Sequence, residues 1–533
     1  MTAGPARYQF AYRRSRDQDR LDPAHHPVIV IGAGPVGLCA AIDLAQRGIA
    51  VLLLDESDRI GEGSRGISHA KRTLEIFDRL GIARRCLDKG ITWKVGKVFK
   101  DSDLLYAFDL LPEDGHAMPA FVNLQQYYLE YFLVERAFEL GNIEIRWLTK
   151  VTGLDPRPDG VTLTVETPDG PYRLRADFVI AADGVRSTAR ALLGLDFPGE
   201  MFEDRFLIAD VRMRGDFPTE RWFWFNPPFF KDHSVLLHKQ PDDVWRIDFH
   251  LGPDADVAAE RSPERIMPRL ERMLGHRDFT LEWISVYSFQ CRRLRDFVHG
   301  RVIFAGDAAH QVSPFGGRGG NSGIQDAENL AWKLALILRG NAPERLLASY
   351  HQERAAAADE NIAHSTRSTD FIAPRSPNEA RFRDAALALA RHTDFAKRMV
   401  NSGRLSTACA YTTALSTPDA DSWNCPTQPG APLLDARMTS GTGDNAIAWL
   451  LRAVGGEETV LHVAAGQNLP EMPGRKRLVI GQDLHDTEGF FTRRYDATPG
   501  ATYLVRPDQH LAARWRQFDA AAIEQASRRL RGF

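Results

Sequence analysis

The first apolar run of the chain, Val28-Ile29-Val30-Ile31, is β-branched and does not alternate with polar residues. Such a run reads as a strand buried on both faces of a parallel sheet. Gly32 to Gly37 follows, then a helical pattern from Leu38 to Arg47 closed by Gly48, then a second buried strand, Val51 to Leu54, ending at Asp55. That is strand, helix, strand within roughly thirty residues. Residues 71–88 and 125–140 carry helical patterns, and 143–181 reads as strands with a turn at Pro168-Asp169-Gly170. Phe178 to Ala182 is another buried strand, ending in Asp183-Gly184, and Arg301 to Ala305 is a third, ending in Gly306-Asp307. A Gly-rich loop over 314–323 leads to a helix expected at 324–339, and 343–415 looks mostly helical.

The pattern changes over 205–290, which is aromatic and alternating. Trp222, Phe223, Trp224 and Phe225 stand in a row. Val235-Leu236-Leu237, a turn at Pro241-Asp242-Asp243, and Trp245 to Phe249 suggest a hairpin. On a strand Trp245, Ile247 and Phe249 share one face, and Arg246, Asp248 and His250 the other. A Pro-rich break from Cys425-Pro426 to Pro432 reads as a linker before a small α/β unit. The expected organisation is an arm (1–26), a nucleotide-binding domain in two parts (27–200 and 291–345), an inserted antiparallel sheet domain for substrate (201–290), a helical connector (346–424) and a C-terminal domain (425–533).

Composition narrows the class. Hydrophobic residues make up 44% and charged residues 26%, values of a folded globular chain rather than a disordered or collagen-like one. The net charge of −3 offers no basic excess for nucleic acid or an anionic membrane. Val28 to Ala45, the most apolar stretch, is broken by Asp43 and glycines and is too short for a membrane span. The five cysteines include no C-x-x-C pair, which argues against a zinc ribbon, a redox dithiol or a disulfide framework. A reducing cytoplasm fits best. Residues 1–26 lack an apolar signal segment and read as an arm that is flexible or clasps a partner.

Gly32-x-Gly34-x-x-Gly37 sits where a strand turns into a helix. The first glycine permits the tight turn, the second lets backbone approach a pyrophosphate, and the third lets helix and strand pack closely. The phosphates then meet the unpaired N–H groups of the helix N-terminus. Asp55 ends the next strand, where a carboxylate can hold ribose hydroxyls. These residues point to a dinucleotide without separating FAD from NAD. Two later features favour a flavin. Gly306-Asp307 places a carboxylate at a strand tip, as a polyol chain requires. Pro314 to Gly323 supplies bare backbone ahead of a helix whose N-terminus could stabilise negative charge on a reduced flavin.

With these three ordered motifs (Gly32 to Gly37 with Asp55, Asp183-Gly184-Val185-Arg186-Ser187, and Gly306-Asp307 with 314–323) the sequence resembles the single-component, class A FAD-dependent aromatic hydroxylases of the p-hydroxybenzoate hydroxylase fold. It is most similar to the branch containing 3-(3-hydroxyphenyl)propionate hydroxylase and aromatic-polyketide hydroxylases. The resemblance implies an α/β fold: a Rossmann-like FAD domain of the GR2 type, an inserted antiparallel β-sheet substrate domain, and a C-terminal thioredoxin-like domain without C-x-x-C. Gly32, Gly34, Pro35 and Gly37 would meet the FAD pyrophosphate, and Asp55, with Glu56 beside it, the adenosine ribose. Arg65 matches an arginine near the phosphate and ribityl chain. Gln126 matches a flavin-binding glutamine, with Gln125 as the alternative register. Asp183 and Arg186 belong to a motif implicated in both FAD and NAD(P)H binding. Gly306 and Asp307 would meet the ribityl chain, and Pro314, Gly319, Gly320 and Asn321 the isoalloxazine. Arg318 stands where glutamine is commoner and is expected to point to solvent. His310 is expected to cap the loop after Asp307.

The implied reaction consumes NAD(P)H and O2 and hydroxylates a small phenolic aromatic through a flavin C4a-hydroperoxide. NADH and NADPH both remain open, as does a homodimer. Neither nucleic acid, metal nor membrane is expected to take part. No residue stands out as a catalytic base; His69, Arg246, His250 and Tyr287 are candidates, with a packing or surface role as the default for each. The same fold could instead support epoxidation, Baeyer–Villiger insertion or dehydrogenation, and a non-enzymatic flavin-binding scaffold is the remaining alternative.

Overall fold

The computed structural model describes residues 8–61, 66–215, 217–401, 407–440, 447–466 and 469–533. Its first sheet joins, in order, strands Val298–His299, Val302–Phe304, Gly170–Ala181, Ala24–Ile31, Val51–Leu54 and Ile143–Arg146. All neighbours are parallel except the Val298–His299 edge. Lys150–Arg157 and Gly160–Thr167 add an antiparallel meander. The register puts Leu54, Ile31, Ala181 and Phe304 on one line across four strands. Each motif begins immediately after that line, so residues far apart in sequence emerge at one edge, outside the carboxyl ends of the strands. Helices Pro35–Gln46, Gln126–Leu140 and Arg318–Leu338 pack beside one another on this sheet.

The second sheet is larger than 201–290. Its order is His310–Gln311, Thr280–Arg293, Gly199–Arg212, Val244–Gly252, Ser234–Lys239, Arg221–Phe225, Val95–Lys100 and Asp103–Asp109. The last two strands come from the first part of the FAD domain. Val95–Lys100 pairs parallel to Arg221–Phe225, so the sheet is mixed rather than purely antiparallel. Alternation sorts the aromatic row as a strand requires. Trp224 packs with Trp245, Ile247 and Phe249 under helix Pro263–Leu274, while Phe223 and Phe225 join Phe206, Leu236 and Phe315 on the opposite, inner face.

Two boundaries differ from expectation. Residues 8–26 are not a loose arm. Phe10 stacks on Trp147 with centroids 4.4 Å apart, and the Arg146 guanidinium reaches Asp17 at 2.6 Å. The first strand accordingly starts at Ala24. The connector is helical over Leu347–Ile372, Pro377–Ala390 and Asp394–Asn401, but the described residues from 407 to 424 are not. Tyr411 stacks on His510 at 4.5 Å, and the Thr417 N–H bonds the Ala512 carbonyl at 2.8 Å. The chain has therefore joined the C-terminal unit before the Pro-rich segment. That unit is a seven-stranded mixed sheet with helices Leu450–Val454, Phe490–Tyr495 and Ala520–Leu530. Among the described residues no helix is long and apolar enough to cross a membrane.

Buried charge, rather than apolar contact alone, joins the C-terminal unit to the FAD domain. Arg506 donates to Glu353 at 2.7 and 2.9 Å and to Asp508 at 2.9 and 2.6 Å. Lys333 reaches Glu353 at 2.7 Å, and Arg72 bonds both Glu328 and the Asp508 carbonyl at 2.8 Å. Burial alone would raise the Glu353 carboxyl, but Arg506 and Lys333 overcome it and hold that group well below the usual carboxylate range. Removing one member of such a network strands its partners. Arg506→Met is expected to destabilise the fold by about 3–5 kcal/mol, read as a lowered denaturation midpoint; an unchanged midpoint would show that the network contributes no stability.

Candidate active site

The Gly32 turn is built for a close approach. Gly32 has φ +105°, and a Cβ there would lie 2.5 Å from the Ala182 carbonyl oxygen. A Cβ on Gly37 would overlap the Gly32 carbonyl oxygen, whereas one on Gly34 meets nothing within 4 Å. Gly32 and Gly37 thus serve packing, and the space at Gly34 is free for a ligand. Pro35 occupies the first turn of the helix that follows. Asp55 accepts the Ala33 N–H at 2.7 Å and the Ser57 N–H at 2.8 Å, so it braces the turn from the neighbouring strand. Burial raises its carboxyl, and the two N–H bonds oppose that shift. Glu56 faces solvent 3.7 Å from Lys150, away from the turn.

Asp183 lies beside Gly32. One oxygen accepts the Ala189 N–H at 2.9 Å; the other, Oδ1, is buried without a hydrogen-bond partner. Arg186, from the same motif, is exposed. The arginine that ties this segment to the next one is Arg190, bonded to the Val185 carbonyl at 2.7 Å and the Ala308 carbonyl at 3.0 Å.

The Gly306-Asp307 turn is fastened from behind by Asp326, a residue with no solvent exposure. Its Oδ2 accepts the Gly306 N–H at 2.9 Å and lies 2.6 Å from His310 Nε2; Oδ1 accepts from Arg354 at 2.6 Å. Burial would raise this carboxyl, but His310 and Arg354 hold it low. His310 therefore does secure the segment after Asp307. Sequence reading missed Asp326 and Arg354. Nothing local singled Asp326 out, since the same helix carries Glu328, Asn329 and Lys333.

That helix begins at Arg318, not 324, so the last six residues of the expected loop, 318–323, are helical. Pro314, exposed, opens the tight turn that precedes it: its carbonyl accepts the Gly317 N–H at 2.9 Å. The N-cap Gly317 provides no side-chain cap, and a Cβ on Gly320 would meet nothing within 4 Å. Unpaired helix N–H groups next to open space suit an anionic or carbonyl-bearing ligand edge. A Cβ on Gly319 would sit 4.0 Å from Asp307 Oδ1, which places that carboxylate beside the same opening. The Asn321 side chain does not face it. Its Oδ1 accepts the Ala70 N–H at 2.9 Å and its Nδ2 donates to the Ser68 carbonyl at 2.9 Å and to Gly317, stapling strand Ser68–Ala70 to the helix. Arg318 is fully buried rather than solvent-facing, and donates to Asn361 Oδ1 at 2.7 Å. A neutral amide partner and a helical backbone draw it inward.

Arg65 lies outside the described residues. Gln126 accepts the Gly66 N–H at 3.1 Å, beside that segment, while Gln125 reaches the other way to the Pro241 carbonyl at 3.2 Å. Of the four candidate bases, His69 is buried with its ring 5.8 Å from Phe77, on the core side of its strand. Burial lowers its imidazole to about 4. The other three meet on the inner face of the second sheet. Arg246 forms a two-point pair with Asp210 at 2.8 Å, the His250 ring lies 4.9 Å from Phe206, and Tyr287 is cross-strand from Phe206. Phe206 in turn touches Phe315, 4.7 Å away in the turn before the Arg318 helix. This face therefore abuts the opening at Gly319 and Gly320.

A family model described as an FAD binding domain matches residues 25–365. The chain is a class A FAD-dependent monooxygenase of the p-hydroxybenzoate hydroxylase fold. The monooxygenase is 34% identical over 363 residues to a flavin-dependent monooxygenase of Mycobacteroides abscessus, covering 64% of this chain and 73% of that one. It is 32% identical over 380 residues to the 12-dehydrotetracycline 5-monooxygenase/anhydrotetracycline 6-monooxygenase of Streptomyces rimosus, covering 68% and 73%. The flavin-dependent monooxygenase PieE, solved with FAD and substrate, shares the fold with a TM-score of 0.80 over 96% of this chain and 99% of that one, at 23% identity. The monooxygenase's own residues fit FAD on three counts: the clearance at Gly34, the unpartnered Asp183 Oδ1 beside Gly32, and the uncapped helix N-terminus at Gly320.

His69 and His238 are both buried, and burial lowers each imidazole from 6.5 to about 4. The unfolded chain then binds more protons between these values, so stability is full above about 6.5 and is lost as pH falls toward 4. Each histidine is expected to contribute on the order of 3 kcal/mol to that loss. Denaturant midpoints across this range check it, and His69→Gln should flatten the profile.

Proposed function

We propose that this monooxygenase hydroxylates a phenolic aromatic ring, with the net balance ArH + NAD(P)H + H⁺ + O2 giving ArOH + NAD(P)⁺ + H2O. The observation that carries the reading is the seating of an aromatic inner sheet face, through Phe206 and Phe315, against an uncapped helix N-terminus beside Asp307. The relatives' names support it, since they describe oxygenation of tetracycline precursors and, in a Mycolicibacterium gilvum relative 29% identical over 518 residues, of hydroxyphenylpropionate. The C-terminal unit we read as thioredoxin-like in fold and, lacking C-x-x-C, as a structural rather than redox partner.

In this reading Gly32, Gly34, Pro35 and Gly37 pass the pyrophosphate to the helix N-terminus, Asp55 holds the adenosine ribose, and Asp183, Asp307 and Gln126 line the path of the ribityl chain. Gly319 and Gly320 present N–H groups to the flavin pyrimidine edge. FAD, when bound, accepts hydride from NAD(P)H and activates O2 for transfer to the ring. The protein orients the ring and excludes water. Phe206 and Phe315 bring apolar surface up to the opening, and the dipole of helix Arg318–Leu338 favours negative charge at the cofactor. Arg246 supplies no free positive charge to the substrate, because Asp210 neutralises it.

The purified enzyme is expected to be yellow, to oxidise NAD(P)H faster with a phenolic ligand, and to place one atom of labelled O2 in the product. Hydrogen peroxide as the sole oxygen product across a broad phenol panel would defeat the reading; label in a lactone or epoxide would redirect it. Asp307→Ala is expected to lose FAD during gel filtration. Unchanged flavin content would remove Asp307 from the cofactor site.

A further inference from the structure

Residues 8–20 precede the FAD binding domain, whose match begins at residue 25, yet they are bonded to the segment that carries Asp55. The arm and the loop after Asp55 form an antiparallel bridge at Gln9 and Arg59. The Phe10 N–H bonds the Asp58 carbonyl at 2.6 Å, and the Ile60 N–H bonds the Tyr8 carbonyl at 3.4 Å. Gln9 Nε2 donates to Asp58 Oδ2 at 2.5 Å. The far end of the loop is held by Glu130, which accepts the Gly61 N–H at 2.6 Å. The Tyr8 ring lies 4.5 Å from that of Tyr131, the next residue.

The arm also holds the strand end that faces this loop. The Asp55 N–H bonds the Arg146 carbonyl at 3.0 Å, the Leu148 N–H the Ser57 carbonyl at 3.0 Å, and the Thr149 N–H the Asp55 carbonyl at 2.8 Å. Among these residues stands Trp147, buried, its ring stacked on Phe10 with an interplanar angle of 5°. The Arg146 side chain donates to Asp17 at 2.6 Å and to the Tyr172 hydroxyl at 3.0 Å. Asp17 sits in the turn Arg16–Asp19, which is closed by a capping box between Ser15 and Gln18. Tyr12 and Gln18 anchor the arm to Thr167 Oγ1 at 3.2 and 3.0 Å.

Asp55 is thereby flanked by two segments, 56–60 and 146–149, that the arm fastens together. Its carboxylate in turn braces the Gly32 turn through the Ala33 N–H. A carboxylate fixed in this way meets a sugar hydroxyl without first having to be ordered, and a site ordered before binding loses less entropy on binding. Resting on the reading that Asp55 holds the adenosine ribose, we propose that the arm, through Phe10 and Asp17, is a clasp that sets how tightly the adenosine end of FAD is retained. Phe10 and Asp17 are positioning residues. Phe10 acts through Trp147 and the Asp58 carbonyl, and Asp17 through Arg146, on either side of Asp55.

The test dilutes the FAD-loaded enzyme and follows release of FAD as the rise in free-flavin fluorescence. Phe10→Ala is expected to release FAD about tenfold faster than the unaltered enzyme, the factor that corresponds to one or two side chains no longer held in place. Phe10→Tyr, which keeps the stack, should release at the original rate. The visible circular dichroism of the bound isoalloxazine should stay unchanged, because the arm acts at the other end of the cofactor. Should Phe10→Ala fail to fold, Asp17→Asn takes its place, with release accelerated about threefold or more by the weakening of a charge-assisted bond. Unchanged release in Phe10→Ala and Asp17→Asn, with faster release in Asp55→Asn, overturns the clasp and leaves the reading of Asp55 standing. Unchanged release in Asp55→Asn defeats that reading instead, and with it the route by which the arm acts. Faster release together with an altered isoalloxazine signal also overturns the proposal, since the arm would then be supporting the fold as a whole.

Discussion

Asp326 has no contact with solvent and makes three bonds through its two carboxylate oxygens, to two other segments of the chain. It holds the Gly306 turn, His310 and, through Arg354, the long helix Leu347–Ile372. Arg354 extends the link to the Ser322 carbonyl at 3.1 Å and to the Tyr411 hydroxyl at 2.8 Å, next to the C-terminal unit. Backbone alone cannot prevent the turn that carries Asp307 from swinging. A buried, fully bonded charge can, because every displacement leaves it unpaired in a low-dielectric interior.

The same economy of position governs the second sheet. Its outer face is apolar and covered by helix Pro263–Leu274; its inner face runs from Phe206 and Phe225 near the flavin helix to Arg246 and His238. One strand alternation thus divides neighbouring residues between the outer face and an inner face that packs on Ile372 and Leu387. The Asp210–Arg246 pair fixes the polar end without contributing net charge.

The C-terminal unit belongs mechanically to this assembly. Arg506 donates to Glu353, and Arg72 donates to the Asp508 carbonyl and to Gln509 Oε1, all from buried positions. Arg72 follows directly on the Ser68–Ala70 strand that Asn321 staples. Loss of the unit would expose charged groups on both sides of the helix that carries Asp326.

Local pattern determined much of this. Buried β-branched runs and the residues ending them, Asp55, Asp183 and Asp307, marked the edge of the parallel sheet, and Trp245 to Phe249 showed its two faces by alternation alone. Those features depend on neighbours a few residues away. Other features depended on pairing across the chain. The strands at 95–109 join a sheet whose partners lie more than a hundred residues on, and nothing local in them names that partner. Gly319 and Gly320 read as loop because glycine disfavours helix, yet the helix starts at Arg318 and its Gly323 packs against Val36 and Gly306. Arg318 turned inward because Asn361, forty-three positions later, was there to receive it. The sequence by itself determined the cofactor edge, since strand ends and glycine spacing are local. Only the tertiary structure decided which polar side chains line the inner face of the second sheet and which are spent on one another, because that depends on the register between strands.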